Sequence, residues 1–159
     1  MSIVVRPARL EDAAVLARLN LRVHQLHVDA LPARYKPIRP DQSEVIAWHA
    51  QHLMDENAYV AIAYDGDTPV GYILAFVQTI PDNPFVYSTP NFHIDQMSVE
   101  MEYEGQGVGR LLLEAALAVA RERGAETISL GVAAFNERAI AFYERHGFEA
   151  LSLRMARRV

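Results

Sequence analysis

The chain has 159 residues, of which 51% are hydrophobic and 22% are charged, and it contains no cysteine. This size and composition predict one globular domain over residues 1–159 with a single core. The lack of cysteine excludes disulfides, iron–sulfur ligation and a thiol nucleophile. The net charge of −5 argues against a nucleic-acid partner and slightly favours a cationic small molecule. Charged residues interrupt the N-terminus, and Glu114 splits the longest apolar run. We therefore expect no signal peptide, no membrane span and a cytoplasmic location.

The first half of the chain predicts one strand, then two helices, then two strands. Asp41 and Glu44 resemble a capping box, which marks the start of the second helix, and the segment between Tyr64 and Val70 has the composition of a hairpin turn. The predicted elements are a strand at Ile3–Pro7, a helix from Glu11 to about Val28, a helix from about Gln42 to Asp55, and strands at Tyr59–Tyr64 and Val70–Gln78.

The second half reads as strand, helix, strand, helix and strand. Asn136 is a suitable N-cap, and Gly147 is suited to the left-handed residue that ends a helix. The predicted elements are a fourth strand at Phe92–Glu100, a helix from Gly107 to about Arg123, a fifth strand at Thr127–Ala133, a helix between Asn136 and Gly147, and a last strand from Phe148 to about Met155. This order implies parallel pairing of the fourth and fifth strands through a right-handed crossover.

Three alternating glycines precede the third helix, in the segment Glu104-Gly105-Gln106-Gly107-Val108-Gly109. Glycine allows close backbone approach, and a helix N-terminus offers free N–H groups to a phosphate. A tight strand-to-helix turn explains the same glycines equally well. A P-loop is absent, and Leu112 stands where the dinucleotide-binding pattern needs glycine, so a nicotinamide-dependent reductase is disfavoured.

The glycine segment and the later segment Asn136-Glu137-Arg138-Ala139-Ile140-Ala141-Phe142-Tyr143-Glu144-Arg145-His146-Gly147-Phe148 together resemble the two signature segments of the GCN5-related N-acetyltransferase (GNAT) superfamily. The second segment fits at every defined position of N-x-x-A-x-x-F-Y-x-x-x-G-F. The first departs at Glu104, where the family usually has Gln or Arg. The resemblance implies a mixed α/β fold: a mostly antiparallel sheet with parallel fourth and fifth strands, flanked by about four helices.

The same resemblance implies an acetyl-CoA site. It assigns pantetheine to the backbone of Met97, Ser98 and Val99, in a gap between the fourth and fifth strands, with a backbone N–H as oxyanion donor. It assigns pyrophosphate to the loop formed by Gly105, Gln106, Gly107, Val108, Gly109 and Arg110. Asn136 would contact the pantetheine arm or a nearby water, and Tyr143 would meet the sulfur. Tyrosine is protonated at neutral pH and can act as the general acid for a departing thiolate.

His93 and Asp95 are candidates for the group that receives the amine proton. They are two residues apart on the fourth strand, so they are expected on one face, which Met97 and Val99 would continue. Similar enzymes draw a base from these positions. A structural hydrogen-bonded pair is an equally good interpretation, and Asp95 could instead bind a cationic amine.

The resemblance predicts direct transfer of acetyl from acetyl-CoA to a small-molecule or peptide amine in a ternary complex, without a metal. The alternative is a non-catalytic acyl-CoA-binding module of the same fold, which Glu104 favours. Proline-rich loops at 31–42 and 79–91 would border the acceptor groove, with Tyr35, Phe85 and Tyr87 as candidate walls. His24 with His27, and His49 with His52, lack a third metal ligand. Only one strand follows Gly147, so a second subunit could complete the sheet edge in a homodimer.

Overall fold

The computed structural model describes residues 2–159, which form a five-stranded sheet and four α-helices. The predicted mixed α/β class is therefore confirmed. The strands are β1 (Ile3–Pro7), β2 (Ala58–Asp65), β3 (Thr68–Ile80), β4 (Thr89–Val99) and β5 (Thr127–Leu130), and the helices are α1 (Ala13–Ala30), α2 (Ser43–Leu53), α3 (Val108–Glu122) and α4 (Glu137–Arg145). Short 3-10 turns at Leu10–Asp12 and Met101–Tyr103 precede α1 and α3.

The sheet has the strand order β1-β2-β3-β4-β5. The first three pairings are antiparallel, and β4 with β5 is parallel, as the sequence predicted. Parallel pairing covers only residues 91–94 of β4 opposite 127–130 of β5. Since β4 continues to Val99, its second half has no partner on the β5 side.

The two faces of the sheet bury different helices. On one, the α1–α2 face, Leu16 and Leu19 of α1 pack against Ile62, Tyr72 and Leu74. On the other, the α3 face, buried residues of α3 recur every four positions, which is the helical period of an amphipathic stripe; they are Val108, Leu112, Ala116 and Ala120. Burial of a leucine-sized side chain contributes about 1.5–3 kcal/mol, so these two clusters fix the helices on the sheet.

A β-bulge interrupts β4 at Asp95. Leu74 of β3 lies opposite Gln96, whereas the next residue, Ala75, lies opposite Ile94, so Asp95 is the extra residue. The inserted residue reverses the in–out alternation after it. Phe92 and Ile94 therefore share the α3 face with Met97 and Val99, and the expectation that Met97 and Val99 continue the face of His93 and Asp95 is wrong.

Several predicted boundaries also differ from the structure. β5 ends at Leu130 instead of Ala133. Helix α2 has Gln42 as its N-cap with no side-chain cap hydrogen bond, so the capping box predicted from Asp41 and Glu44 is absent. Residues 148–159 form no strand, although one was predicted there, because they pair with no other segment of the described chain. Among the described helices, none combines the length and apolar character that a bilayer crossing requires.

Candidate active site

The N-terminus of α3 exposes backbone N–H groups in a glycine-lined turn. Gly107 is the N-cap with φ of +85°, in the left-handed region that glycine adopts without strain. The first hydrogen bond within α3 runs from the Leu111 N–H to the Gly107 carbonyl at 3.1 Å. The N–H groups of residues 108–110 therefore have no acceptor within the helix. A Cβ added at Gly105 or Gly107 would meet nothing within 4 Å. These features fit an anion such as a phosphate.

Helix α4 meets α3 and the end of β4 at Gly109. A Cβ at this position would lie 3.4 Å from two ring atoms of Phe142 and 3.9 Å from a methyl group of Val99. The missing side chain thus allows α4 to approach the first turn of α3. The two segments singled out by sequence motif, which are about thirty residues apart, are brought together here.

The free edge of β4 lies beside this convergence. The N–H of Glu100 donates to the Val70 carbonyl at 2.8 Å, and backbone groups alternate in direction along an antiparallel ladder. The backbone of Ser98 therefore points at β3, whereas the backbones of Met97 and Val99 point to the free edge. The Val99 carbonyl accepts a hydrogen bond from Arg22 Nη1 at 2.8 Å. The backbone N–H and carbonyl of Met97 and the N–H of Val99 remain the groups best placed to pair with an extended ligand.

Tyr143 and Asn136 lie on α4 in different environments. Burial raises the pKa of Tyr143 to about 12, so its hydroxyl stays protonated throughout the neutral range. Its ring contacts Phe142 and Phe148 edge-to-face, with centroids 5.2 and 5.4 Å apart. Asn136 caps α4, because its Oδ1 accepts from the Ala139 N–H at 3.1 Å. The amide nitrogen of Asn136 remains for a ligand or water.

Glu104 is neutralised by two arginines from different helices. Its carboxylate pairs with Arg22 of α1 and Arg138 of α4. Partial burial works to raise the pKa of Glu104, but the hydrogen bonds and charges of the two arginines outweigh burial and lower it. Together these three side chains carry a charge of +1. The glycine loop therefore does not lie beside an uncompensated negative charge, although Glu104 departs from the Gln or Arg that is usual at its position.

His93 is hydrogen-bonded to the neighbouring parallel strand. Its Nδ1 lies 3.0 Å from Ser129 Oγ, which also accepts from Asn91 Nδ2 at 2.8 Å. Its ring packs 5.5 Å from that of Phe76. In the part of the chain that the structure describes, the other ring nitrogen, Nε2, has no hydrogen-bond partner. His93 is thus fixed through Nδ1, and if Nδ1 is the donor to Ser129, Nε2 is an acceptor.

The extra residue, Asp95, lies beside a buried polar network. Asn20 Nδ2 donates to the Tyr72 hydroxyl at 2.8 Å, and that hydroxyl donates to Gln96 Oε1 at 2.6 Å. Burial, and to a lesser degree the charge of Asp95, raises the pKa of Tyr72. The network anchors Gln96 immediately after the bulge. It therefore links the irregular point of β4 to α1.

A cavity of about 300 Å³ opens on the α1–α2 face next to this network. Its exposed surface is mainly apolar, and its polar members are two amides, one carboxylate and two imidazoles; the lining residues are Asn20, His24, Ile38, Glu44, Val45, Trp48, His49 and Gln96. Burial, with a smaller effect from His52, lowers the pKa of His49 to about 4. His49 is therefore neutral near pH 7, and Glu44 supplies the negative charge of the cavity.

Other candidates from the sequence are arranged differently. Tyr35 packs between His24 and His27, with ring centroids 6.1 and 5.0 Å away. Phe85 and Tyr87 are 94% and 88% exposed, at the tip between β3 and β4. Within residues 2–159 no group of three or more acidic or histidine side chains is arranged to hold a metal ion.

Sequence reasoning missed Arg22, Arg138 and the network of Asn20, Tyr72 and Gln96. The arginines are separated from Glu104 by 82 and 34 positions, and no local pattern links them. Two signals in the sequence indicated the network. Asn20 is a polar residue within the apolar stripe of a helix, and Gln96 is a polar residue within a central strand. Buried polar groups of this kind require partners.

The family model described as Acetyltransferase (GNAT) family matches residues 20–148. The chain belongs to the GNAT family of acetyltransferases. It is 30% identical to N-alpha-acetyltransferase 30 of Schizosaccharomyces pombe over 125 residues, which cover 79% of both chains. It is 43% identical to a mycothiol acetyltransferase of Propionibacterium freudenreichii over 63 residues, which cover 40% of this chain and 20% of that protein.

The GNAT fold is also the fold of solved structures similar to this chain. A structure of the BH1408 protein of Bacillus halodurans superposes with a TM-score of 0.91 at 24% identity and covers 98% of this chain and 99% of that one. The aminoglycoside N-acetyltransferase AAC(6')-Iy, solved in complex with CoA, has a TM-score of 0.74 at 16% identity, with 99% and 95% coverage. At these identities the likeness establishes the fold alone.

Proposed function

We propose that this protein is an acetyl-CoA-dependent N-acetyltransferase that transfers acetyl directly to an amine in a ternary complex. The observation that carries the proposal is the meeting of the α3 N-terminus, α4 and the unpaired half of β4 at Gly109. Family membership and N-acetyltransferase relatives support it. The proposed reaction passes through no covalent acetyl-enzyme intermediate.

The donor would lie along the free edge of β4. The α3 N–H groups from Val108 to Arg110 would bind the pyrophosphate, together with the loop residues Gly105, Gln106 and Gly107. Met97 and Val99 would pair with the pantetheine amides, and a β4 N–H would donate to the thioester oxygen as negative charge develops there. The amide nitrogen of Asn136 would reach the pantetheine arm or its water.

The acceptor would enter from the opposite face, through the cavity beside Gln96. A lysine-like amine with a pKa of about 10.4 is deprotonated in roughly one molecule in 10³ at pH 7, a cost of about 4–5 kcal/mol. His93 Nε2, or water held by His93 and Asp95, would take that proton. The amine nitrogen then bonds to the acetyl carbon, the C–S bond breaks, and Tyr143 donates its proton to the thiolate.

The non-catalytic alternative has lost its main support. It rested on an acidic residue next to the pyrophosphate loop, and that residue is paired with Arg22 and Arg138. The hydroxyl of Tyr143, which is protonated at neutral pH, and the polar fourth strand favour turnover over binding alone.

A thiol-release assay tests the proposal. Acetyl-CoA is incubated with a peptide bearing a free N-terminus, a peptide bearing only a free lysine, a polyamine and an aminoglycoside. We expect thiol release with at least one amine and a product heavier by one acetyl group. Binding of acetyl-CoA without release from any amine would support the non-catalytic module instead.

A further inference from the structure

The cavity beside Gln96 has two walls of different character. Helix α2 supplies one wall through Glu44, Val45, Trp48 and His49, whose helical spacing places them on one side of the helix. Gln96 supplies part of the other wall from β4, in the centre of the sheet. An acceptor that fills the cavity therefore contacts β4 at one end and α2 at the other.

The β4 wall is the end at which acetyl transfer is proposed. Leu74 and Phe76 of β3 lie opposite Gln96 and His93 respectively. Residues two apart on a strand share a face, and directly opposite residues point to the same side of the sheet. His93 and Gln96 therefore share the α1–α2 face. The nitrogen that reacts must lie at this wall, so the α2 wall contacts another part of the acceptor.

Glu44 gives the α2 wall an unneutralised negative charge. Its carboxylate makes no ion pair with any basic side chain of residues 2–159, and the cavity lining includes neither lysine nor arginine. The surface around the carboxylate is mainly apolar. A charge in such surroundings attracts an opposite charge more strongly than one in bulk water, because the effective dielectric constant is lower. The α2 wall therefore favours a cationic group.

Two aromatic rings on the same wall suit that cation. His49 is only 2% exposed, yet among residues 2–159 its ring nitrogens have no hydrogen-bond partner. Buried polar groups normally have partners, and a neutral imidazole offers one lone pair that can accept from an ammonium group. The Trp48 ring lies 5.1 Å from that of His49, and an indole ring attracts cations through its face.

We propose that the acceptor is an amine that carries a second ammonium group on a short apolar spacer, and that Glu44, Trp48 and His49 bind this second group. The side chains of Ile38 and Val45, which also line the cavity, would contact the spacer. A monoamine of the same length leaves the carboxylate and the imidazole without a partner. The proposal rests on the acetyl transfer proposed above, because it assigns the β4 wall to the reacting nitrogen.

Matched pairs of amines test the second site by thiol release. Diaminopropane, diaminobutane and diaminopentane are each compared with the monoamine of equal carbon number. For at least one pair the wild type should prefer the diamine by at least about tenfold in kcat/KM, the effect of one hydrogen bond to a charged group. Glu44→Gln should abolish this preference mainly through KM. Asp41→Asn is the matched control, because Asp41 is exposed, pairs with Arg39 and lies outside the cavity; it should keep the preference.

Calorimetric binding of the same diamines needs no turnover and separates this proposal from the proposed function. The wild type should bind a diamine at least about tenfold more tightly than Glu44→Gln does, and circular dichroism checks that the variant is folded. Diamine binding that depends on Glu44, without thiol release from any amine, would contradict acetyl transfer and support the second site. Thiol release with equal use of diamines and monoamines, or a diamine preference that persists in Glu44→Gln, would overturn the second site and leave acetyl transfer intact.

Discussion

Arg138, in the first turn of α4, forms an ion pair with Glu104, which ends the 3-10 turn before the glycine loop of α3. The pair joins the two segments that carry the sequence motifs. Arg22 of α1 completes the neutralisation of the same carboxylate. An acidic residue that looked unfavourable in the sequence is thus part of a network with a net positive charge.

Removal of the Glu104 carboxylate should strengthen binding of acetyl-CoA. Glu104→Gln leaves both arginines free to face phosphate, and one extra unit charge near the surface is worth on the order of 1 kcal/mol, about fivefold in affinity. Calorimetry at low and high salt measures this, because a charge effect should shrink as salt is added. Glu102→Gln is the matched control, since it removes the same charge two residues away. Weaker binding by Glu104→Gln would mean that the ion pairs hold the loop in its binding conformation.

The glycine at the α3 N-cap should be needed for the donor more than for the fold. Gly107→Ala introduces a side chain at φ of +85°, which costs about 1–2 kcal/mol of stability and obstructs the approach of phosphate. Gly124→Ala is the control, because Gly124 has φ of +73° and equally open space at the far end of α3. We expect similar losses of stability but at least about tenfold weaker acetyl-CoA binding only for Gly107→Ala. Equal affinities in the two variants would exclude the loop from the site.

The Tyr143 hydroxyl should act in turnover and not in binding. Tyr143→Phe preserves the ring contacts with Phe142 and Phe148 and removes only the proton. Loss of a general acid costs about 10²–10⁴ in rate, so kcat should fall while the Kd for acetyl-CoA changes little. Tyr64→Phe, which removes a hydroxyl from β2, should leave both values unchanged. Wild-type turnover by the Tyr143 variant would show that the thiolate is protonated by water.

His93 should determine the acidic limb of the pH profile. If Nε2 accepts the amine proton, the ascending limb of kcat/KM against pH should depend on His93, and His93→Gln should abolish that limb. Ser129→Ala removes the partner of Nδ1 and should shift the limb without abolishing it. Asp95→Asn should mainly raise KM for a cationic acceptor. A profile unchanged in all three variants would assign the three side chains a structural role.

Acid should destabilise the fold through His49. Its pKa is about 4 in the folded chain and near 6.5 when unfolded, so the unfolded state takes up the proton first as pH falls. Stability is therefore fully present above pH 6.5 and declines toward pH 4, by up to about 3 kcal/mol. The free energy of unfolding, measured with denaturant, should change less with pH in His49→Gln than in the wild type over this range. His52→Gln, which removes only the smaller influence on His49, should behave nearly as wild type.

Local patterns predicted the elements well, and long-range pairing was harder to predict. Helix α3 and the parallel pairing of β4 with β5 follow from periodicity and element order, which the chain carries locally. The bulge at Asp95 has no marker in a period-two pattern, so the faces of Met97 and Val99 were assigned wrongly. The pairing of Glu104 with Arg22 and Arg138 depends on the packing of α1 and α4. The segment 148–155 has the alternation of a strand, but a strand also requires a neighbour, and none pairs with it among residues 2–159.

The bulge at Asp95 can be removed without exchanging the faces of β4. Deletion of Asp95 would join Ile94 to Gln96 and leave them opposite their present partners on β3, Ala75 and Leu74. Phe92, Ile94, Met97 and Val99 would then alternate regularly on the α3 face, so the core packing would keep its lining. The loss would be confined to the Asp95 side chain and to the local bend and twist that a bulge adds, which separates the contribution of the bulge to the site from that of β4 to the core.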